Sequence, residues 1–262
     1  MATGMDTEAV LDLVRDVAEE VVVPRFQALE SHDVSEKGPG DLVTVADQEA
    51  ERLLINALTA AYPGAVMLGE EATSRDPGLL DQFTAADHAF TIDPVDGTRN
   101  FVHGSPDHAV MVAEIRGGET VRSWIWQPQH RVAYVAERGA GAWRDGERLT
   151  RPPVGDRLRG VTSRRSWIGR ALGTLTALEL TWVCCGVDYP KLVEGEADYA
   201  VYRKGKPWDH APGSLLLTEA GGHLGGFDGV PYSPQGGEPA GLVAAADQAT
   251  YDLVHGLLPD LA

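Results

Sequence analysis

The sequence predicts a protein of two parts, an α+β first half and an α/β second half. Apolar residues at helical spacing open the chain, and three later runs alternate apolar and polar residues as an antiparallel meander does. After Pro152 and Pro153, strand-like and helix-like segments alternate, which is typical of α/β proteins. We therefore expect two subdomains, residues 1–153 and 154–262, divided at this proline pair.

Composition and charge limit the possible partners of the chain. Its 262 residues suffice for one large domain or for two subdomains that share an interface. The formal net charge of −17 argues against a general binder of nucleic acid or of anionic membranes, because such binders need a basic face. A small anionic substrate stays possible, since bound Mg²⁺ reverses the local field. We expect neither nucleic acid nor a membrane as a partner.

Cysteine usage and the first residues indicate the compartment. The two cysteines are adjacent, at Cys184 and Cys185, so they form neither a disulfide framework nor a zinc cluster. We interpret them as inert core thiols in an apolar strand. Residues 1–20 are acidic and lack the basic and apolar regions of a signal peptide, and no apolar run approaches the roughly 18 residues of a membrane span. These features favour a cytoplasmic protein.

The first segments in chain order are a helix and a polar loop. Helical spacing of apolar residues predicts a helix over about residues 6–30, which Pro24 kinks or shortens. Residues 31–40 have the composition of a polar loop, with Lys37 near its end. We expect the helix to serve packing.

Acidic side chains begin the next two segments. Asp47 either caps a helix over residues 48–61 or accepts a hydrogen bond from a catalytic threonine; the sequence leaves both open. Residues 65–68 form a short predicted strand, and Glu70 and Glu71 stand at its end. A second acidic strand end follows soon after, which favours a ligand site over two solvated acids.

The strand predicted at residues 88–92 leads into a turn with two aspartates. Asp93 therefore lies at the C-terminal end of a strand, where open α/β sheets usually bind ligands. Asp93, Asp96 and the Val95 carbonyl together offer three oxygens of the kind that Mg²⁺ prefers. If a helix starts near Thr98, its free N–H groups would hold a phosphate. A plain surface turn of the same composition remains the alternative.

The remaining segments follow the two patterns named above. Trp124 and Trp126 are expected to pack on sheet faces, and His210 is expected to be structural because Mg²⁺ favours oxygen ligands. Asp209, at the start of a helix, is either a cap or a ligand. Predicted strands are 108–116, 119–127, 132–138, 158–163, 181–185, 198–202 and 242–246, with a hairpin over 139–146; predicted helices are 167–175, 189–194, 209–220 and 248–258.

Four motifs occur in a fixed order: Asp41-Leu42-Val43-Thr44-Val45-Ala46-Asp47, Gly69-Glu70-Glu71, Asp93-Pro94-Val95-Asp96-Gly97-Thr98 and Trp208-Asp209-His210-Ala211-Pro212-Gly213. Together they resemble the inositol monophosphatase family of Mg²⁺-dependent, lithium-sensitive phosphatases, and the resemblance covers nearly the whole chain. It implies a layered αβαβα sandwich of the inositol monophosphatase and fructose-1,6-bisphosphatase type, with the active site between the two halves. It also implies a homodimer.

The resemblance assigns roles to individual positions. It implies two to three Mg²⁺ ions: the first held by Glu70, Asp93 and the Val95 carbonyl, the second by Asp93, Asp96 and Asp209, and a third, looser one near Glu71. It further implies catalytic roles for Asp47, Thr98 and Glu70, and phosphate binding by Gly97 and Thr98.

The chemistry of phosphate monoesters suits this set of residues. Two Mg²⁺ ions acidify a water on one side and neutralise the leaving oxygen on the other, so that attack in line needs no protein nucleophile. The predicted function is Mg²⁺-dependent hydrolysis of a small phosphate monoester, a polyol or sugar phosphate, by metal-activated water.

Two departures from the family pattern concern the substrate. Tyr202 stands where inositol-selective members carry a glutamate, and Gly186-Val187-Asp188-Tyr189 stands where the family often has Gly-Ser. We expect Asp188, Tyr202 and Arg203 to contact the substrate. The cations Arg203, Lys204 and Lys206 either suit a second anionic group or form a solvated turn.

Several functions remain open at this point. Within the family, fructose-1,6-bisphosphatase, histidinol-phosphatase and nucleoside 3′,5′-bisphosphate phosphatase activities are alternatives. Outside enzymes, a metal-binding regulator without catalysis and a dimeric scaffold are alternatives, and the scaffold leaves the clustered acids unexplained.

Overall fold

Two β-sheets and a hairpin organise residues 4–261, the part of the chain that the computed structural model describes. Helix α1 (Thr7–Val17) begins at Asp6, whose side chain accepts the Ala9 N–H. A π-helical turn and a 3₁₀ turn extend this helical stretch as far as Arg25. It ends before the predicted residue 30, because Pro24 lies in the last turn and has no N–H to donate.

The segment predicted as a polar loop is wrong in part, since most of it forms a β-hairpin. Strand β1 (Val34–Gly38) pairs antiparallel with β2 (Asp41–Thr44), and helix α2 (Val45–Ala61) follows directly. Thr44, and not Asp47, is the residue before the helix, and its hydroxyl accepts backbone N–H groups of the first turn. The sequence did not predict the hairpin because its composition is polar and neither of its faces has a continuous row of apolar residues.

A seven-stranded sheet forms the first half, in the spatial order of its strands along the chain. Its first two strands run parallel and the others antiparallel, which confirms the predicted meander and the final hairpin. The elements are β3 (Val66–Gly69), α3 (Glu70–Arg75), α4 (Leu79–Thr84), β4 (His88–Asp96), α5 (Thr98–Val102), β5 (Ala109–Arg116), β6 (Glu119–Gln127), β7 (Val132–Glu137), β8 (Gly141–Arg144) and β9 (Glu147–Leu149).

A five-stranded mixed sheet forms the second half, in the order β11-β10-β12-β14-β13. The proline pair lies between the two sheets, and the division of the chain into subdomains there stays a prediction. The elements are β10 (Gly160–Thr162), β11 (Glu179–Leu180), α6 (Cys185–Val193), β12 (Tyr199–Tyr202), α7 (Pro207–Glu219), β13 (His223–Gly226), β14 (Leu242–Ala245) and α8 (Gln248–Leu257).

Two predicted elements of the second half are wrong. Residues 167–175 form a loop after a single 3₁₀ turn, and residues 181–185 are not a strand. Val183 has a left-handed backbone, with φ of 59°, which ends the extended chain and turns it into α6. The apolar run therefore belongs to the entry of a buried helix, a pattern that periodicity cannot separate from a strand.

Helices and sheets alternate in five layers, which confirms the predicted αβαβα sandwich. Helices α1 and α2 cover one face of the larger sheet, where Trp124 is fully buried as expected. Helices α6 and α7 fill the space between the sheets, and α8 covers the outer face of the smaller sheet. Across residues 4–261, every helix is too short or too polar to traverse a lipid bilayer.

Candidate active site

A bulge in β4 brings two aspartates to the same face of the larger sheet. Asp93 lies opposite Met111 of β5 and Asp96 lies opposite Ala109, so one extra residue stands on β4. The side chains of residues three apart on a regular strand point to opposite faces of the sheet. The extra residue in the bulge turns the Asp96 side chain to the same face as that of Asp93. Met111 and Ala109 both face the helical layer between the sheets. Both carboxylates are therefore directed into the space that α6 and α7 border.

Strand β3 runs parallel to β4 and places two glutamates beside this bulge. Gly69 pairs with Ile92, so Glu70 and Glu71, which begin α3, follow at the level of Asp93. The Lys37 ammonium lies 2.6 Å from Glu70 Oε1 and 2.8 Å from Glu71 Oε1. Burial opposes its charge, but the two glutamates outweigh burial and raise the pKa of Lys37. Lys37, the cation that contacts both glutamates, therefore comes from the β1–β2 hairpin, which the sequence did not predict.

A fifth carboxylate, Glu51 of α2, holds the start of α3 in place. Its Oε2 accepts the Glu71 N–H at 2.7 Å, and its Oε1 lies 3.3 Å from an Arg75 nitrogen. A Cβ at Gly69 would lie 2.2 Å from Glu51 Oε2, so this approach requires a glycine. Burial raises the pKa of Glu51 to about 7. Glu51 therefore orients the backbone that carries both glutamates.

Of the two alternatives that the sequence offered for Asp47, the cap is wrong, because Thr44 precedes α2, and the contact with a threonine is present. Its Oδ2 accepts the Thr44 N–H at 2.8 Å and closes the first turn of α2. Its Oδ1 lies 3.0 Å from Thr98 Oγ1, which lies equally 3.0 Å from the Val95 carbonyl. Burial raises the pKa of Asp47 to about 7, against the lowering effect of the Thr44 hydrogen bonds. A threonine hydroxyl joined to a carboxylate of this pKa is suited to moving a proton near neutral pH.

Gly97 turns the chain from β4 into α5, which begins at Thr98 as expected. Its φ of 79° lies in the left-handed region, which favours glycine. A Cβ at this position would also lie 3.0 Å from Cys184 Cβ and 3.1 Å from the Asp107 carbonyl oxygen. The backbone of Gly97 and Thr98 is thereby fixed beside Asp96, and its role toward phosphate stays a prediction.

The entry of α6 binds the second aspartate of the bulge. Asp96 Oδ2 accepts the Gly186 N–H at 2.5 Å and the Cys184 thiol at 2.9 Å. Neither cysteine lies in a strand, so that part of the interpretation is wrong; Cys184 is buried in the core as expected, but its thiol contacts the candidate site from the residue before α6. Burial raises the pKa of the Cys184 and Cys185 thiols, so that they stay protonated.

Carboxylates crowd around Asp93 from four elements. Burial raises the pKa of Asp93, and the charges of Glu70, Asp96, Asp209 and Asp47 raise it further. Burial, followed by the charges of Asp96 and Glu70, raises the pKa of Asp209, and burial raises that of Asp96 to about 6. Such a cluster of acids is unfavourable by itself and becomes favourable around cations.

One oxygen shows that this cluster fits a metal ion. Asp93 Oδ1 is buried without a hydrogen-bond partner in the described structure. A buried carboxylate oxygen without a partner is costly, and a hard cation is the partner that an all-oxygen donor set provides. By contrast, both ring nitrogens of His210 are engaged, with Tyr189 Oη at 2.8 Å and the Lys204 carbonyl at 3.0 Å. His210 is structural, as expected, although Cys185 and Asp209 lie close to it.

A pocket of about 330 Å³ adjoins Asp96 and Asp209 and collects the residues expected to contact substrate. Asp188 is buried there and accepts the Trp182 N–H at 2.8 Å, while Tyr202 Oη lies 3.4 Å from its other oxygen. Arg203 is exposed at the rim and donates to the Ala240 carbonyl. A larger cavity of about 650 Å³, between α1 and β7–β8, lies away from these carboxylates.

Sequence reasoning missed several residues of the site. The sequence pattern placed Lys37 only in a loop and Cys184 only in a core strand. Glu51 gave no signal beyond its place on the α2 face that carries Asp47, four residues earlier. No pattern in the sequence marked Arg164, which lines the same pocket.

The comparisons with known proteins agree with this geometry. The model of the inositol monophosphatase family matches residues 6–260. The chain is 34% identical over 211 residues to an inositol-1-monophosphatase of Rhizobium meliloti, covering 75% of this chain and 76% of that protein. It is 31% identical over 233 residues to the Nus factor SuhB of Pseudomonas aeruginosa, covering 81% and 82%. An IMPase of Thermotoga maritima has a similar structure, with a TM-score of 0.80, 24% identity and 96% of each chain covered.

Proposed function

Because the chain belongs to the inositol monophosphatase family, and is therefore a phosphoric monoester hydrolase, we propose that it hydrolyses a small phosphate monoester with Mg²⁺. The observation that carries this proposal is the unpartnered, buried Asp93 Oδ1 at the centre of a cluster of carboxylates. The pocket beside Asp209 has the size of a small ligand, and the substrate class that we propose is a polyol or sugar phosphate.

The proposed ligands of the cations come from both halves of the chain. Glu70, Asp93 and the Val95 carbonyl would hold one Mg²⁺, and Asp93, Asp96 and Asp209 a second, with Glu71 available to a third. When bound, these ions would lower the pKa of water and neutralise the charge of the leaving oxygen. The Gly186 N–H and the Cys184 thiol both contact Asp96 Oδ2, so Oδ1 is the oxygen that we propose for a cation.

Thr98 and Asp47 move the proton in the proposed reaction. The Thr98 hydroxyl has one hydrogen, and donating it to Asp47 Oδ1 leaves a lone pair that accepts a proton from the attacking water. As the water oxygen bonds to phosphorus, its proton passes to Thr98, and the Thr98 proton passes to Asp47. The ester P–O bond breaks on the opposite side, and the leaving alkoxide takes a proton from solvent. The backbone N–H groups of Gly97 and Thr98 bind the phosphate oxygens.

A phosphate-release assay tests this proposal. Inositol 1-phosphate, glycerol 2-phosphate, fructose 1,6-bisphosphate, histidinol phosphate and adenosine 3′,5′-bisphosphate are each incubated with the enzyme, with Mg²⁺ and with EDTA. We expect turnover that depends on Mg²⁺ for at least one of these esters. Absence of Mg²⁺-dependent phosphate release from all five would refute the proposal.

Lithium sensitivity belongs to the same proposal. A small monovalent cation at Asp93, Asp96 and Asp209 would replace the second Mg²⁺ and retain the product. We therefore expect LiCl to inhibit turnover more strongly as the Mg²⁺ concentration rises. KCl at equal ionic strength is the control, and identical inhibition by both salts would remove lithium sensitivity from the proposal.

A regulator that has lost catalysis is the weaker alternative. The hydrogen bond from the Thr98 hydroxyl to Asp47 favours an active enzyme, because a protein that only binds metal does not need a group that transfers protons. The proposed assembly is a homodimer, which light scattering on the purified protein would test. The free cysteines fit the proposed cytoplasmic location.

A further inference from the structure

Two neighbouring strands of the smaller sheet carry cations to one edge of the candidate site. Strands β10 and β12 are parallel, with Thr162 opposite Val201, so the chain leaves both strands at the same edge. Arg164 follows β10, and Arg203 and Lys204 follow β12. Such an edge is where α/β sheets bind ligands. All three cations line the pocket that also includes Asp96 and Asp209.

These three cations lack acidic partners, although the protein carries a net charge of −17. Within residues 4–261, no carboxylate lies within ion-pair distance of Arg164, Arg203 or Lys204. Lys206, which the sequence grouped with them, differs because it lies 3.1 Å from Glu238 and does not line the pocket. The basic cluster expected from the sequence is therefore wrong in one member. Arg164 belongs to it, and Lys206 does not.

Neutral contacts hold both guanidinium groups while leaving their charge unpaired. The Arg164 guanidinium lies 4.9 Å from the centre of the Trp167 ring, and its Nε donates to Ser166 Oγ at 2.9 Å. Arg203 donates to the Ala240 carbonyl. A guanidinium has five N–H donors, so each keeps donors for a ligand. Two oriented guanidinium groups and an ammonium match the geometry and the charge of a phosphate.

We propose that Arg164, Arg203 and Lys204 bind a second phosphate group of the substrate, so that the preferred substrates are bisphosphates. This inference rests on the proposed function and names its substrate class. The phosphate to be hydrolysed lies at the Asp93 cluster, and the second phosphate lies at the basic rim of the same pocket. The carbon skeleton between them contacts Tyr202 and the wall near Asp188.

Matched pairs of esters test the proposal. The value of kcat/KM is measured for fructose 1,6-bisphosphate against fructose 1-phosphate, and for adenosine 3′,5′-bisphosphate against adenosine 3′-phosphate. We expect the wild type to prefer the bisphosphate by at least about tenfold in one pair, the scale of a charge-assisted contact. Arg164→Ala and Arg203→Ala should each reduce that ratio by about tenfold, and higher ionic strength should also reduce it.

Arg165 supplies the control, because it is exposed, adjacent to Arg164 and outside the pocket. Arg165→Ala should leave the ratio unchanged. A ratio near one for both pairs, with clear hydrolysis of the monophosphates, would overturn the proposal while the proposed function stands. An equal loss in Arg164→Ala and Arg165→Ala would overturn it as well, since that result indicates only long-range charge.

Direct binding gives a second measurement. In an Asp47→Asn background, which we expect to turn over slowly, calorimetry with Mg²⁺ measures the affinity for each bisphosphate and its monophosphate. Adding Arg164→Ala should weaken bisphosphate binding by about tenfold more than monophosphate binding. Equal weakening of both ligands would contradict a second phosphate site, whether or not the assay detects hydrolysis.

Discussion

The two walls of the candidate site are built differently. On the wall from the first half, acidic side chains are buried and fixed by short contacts: Asp47 to Thr44 and Thr98, and Glu71 to Lys37 through its side chain and to Glu51 through its backbone N–H. The wall from the second half contributes the acids Asp188 and Asp209, and it also carries exposed cations, of which Arg164 and Arg203 are held by neutral partners.

This difference corresponds to a division of labour. Cations and an attacking water need ligands held to within fractions of an ångström, which requires a rigid, buried support. Selection among substrates needs charge of the right sign and space, and exposed side chains supply both. We therefore expect replacements of the buried acids to affect turnover strongly, and replacements of the exposed cations on the second wall to affect the choice of substrate.

The largest effect is expected at the centre of the first wall. Asp93→Asn should lower turnover by about 1,000-fold or more, because it removes a carboxylate proposed to bridge two cations. Without metal, the variant should be at least as stable as the wild type, since one of several repelling carboxylates is gone. Turnover at saturating Mg²⁺ and thermal unfolding in EDTA are the measurements. Turnover within tenfold of wild type would contradict the assignment.

The proton path should show the next largest effect. Asp47→Asn and Thr98→Val should each lower kcat by roughly 100-fold or more, the range of general base catalysis, with smaller changes in KM. Thr98→Ser keeps the hydroxyl that donates to Asp47 and should retain most activity. Steady-state kinetics from pH 6 to pH 9 provide the test. If Thr98→Val were as active as Thr98→Ser, the hydroxyl would have no part in the reaction.

Glu51→Gln tests whether the support behind the metal ligands matters. Because Glu51 orients the start of α3, its replacement should raise the Mg²⁺ concentration for half-maximal activity by about tenfold and leave KM for substrate nearly constant. Glu49→Gln is the matched control, since Glu49 lies on the same helix but pairs with Arg25. The same Mg²⁺ requirement in both variants would show that Glu51 serves only the fold.

The crowding of acids predicts a pH-dependent effect of Mg²⁺ on stability. The pKa of Asp96 is raised to about 6, and that of Asp47 to about 7, above the values near 4 of unfolded chains. Between about pH 4 and 7 the folded, metal-free protein therefore binds more protons than the unfolded chain, and its stability falls as pH rises. Mg²⁺ binds the ionised carboxylates, so its stabilising effect should grow across the same window.

Thermal unfolding with Mg²⁺ and with EDTA measures this effect. At pH 8 we expect an increase in Tm of roughly 5–10 °C at a hundredfold excess over the dissociation constant, and at pH 5 less than half of it. Asp93→Asn should show little increase at either pH. An increase that does not vary with pH would contradict the proposed linkage.

The smallest effect is expected on the second wall. Tyr202→Phe removes a hydroxyl whose contact with Asp188 is long, at 3.4 Å, so kcat/KM for inositol 1-phosphate should change by no more than about threefold. The same substrate panel on wild type and variant measures this. A loss above about 100-fold would mean that Tyr202 belongs to the rigid, catalytic part of the site, and the contrast between the two walls would fail.

Most of the acidic wall could be expected from the sequence, because its residues follow apolar strands within one or two positions. Glu70 follows the end of β3 as expected, whereas β4 continues beyond the predicted residue 92, so that Asp93 and Asp96 lie in its bulged last residues. The basic wall could be expected only in part. Arg203 and Lys204 follow one strand and Arg164 follows another, and only the parallel pairing of β10 with β12 brings the three cations to one pocket.

The sequence by itself determined most of the helices and strands and the carboxylates near the C-terminal ends of β3 and β4, and its resemblance to a known family implied the five layers. Only the tertiary structure decided that Lys37 joins two glutamates, that Glu51 supports them, and that Cys184 donates to Asp96. The physical reason is the separation along the chain between the residues that interact. Periodicity and turns depend on neighbours along the chain, whereas the role of a polar side chain depends on the partner that packing brings beside it. For Cys184 and Asp96, that partner lies 88 residues away.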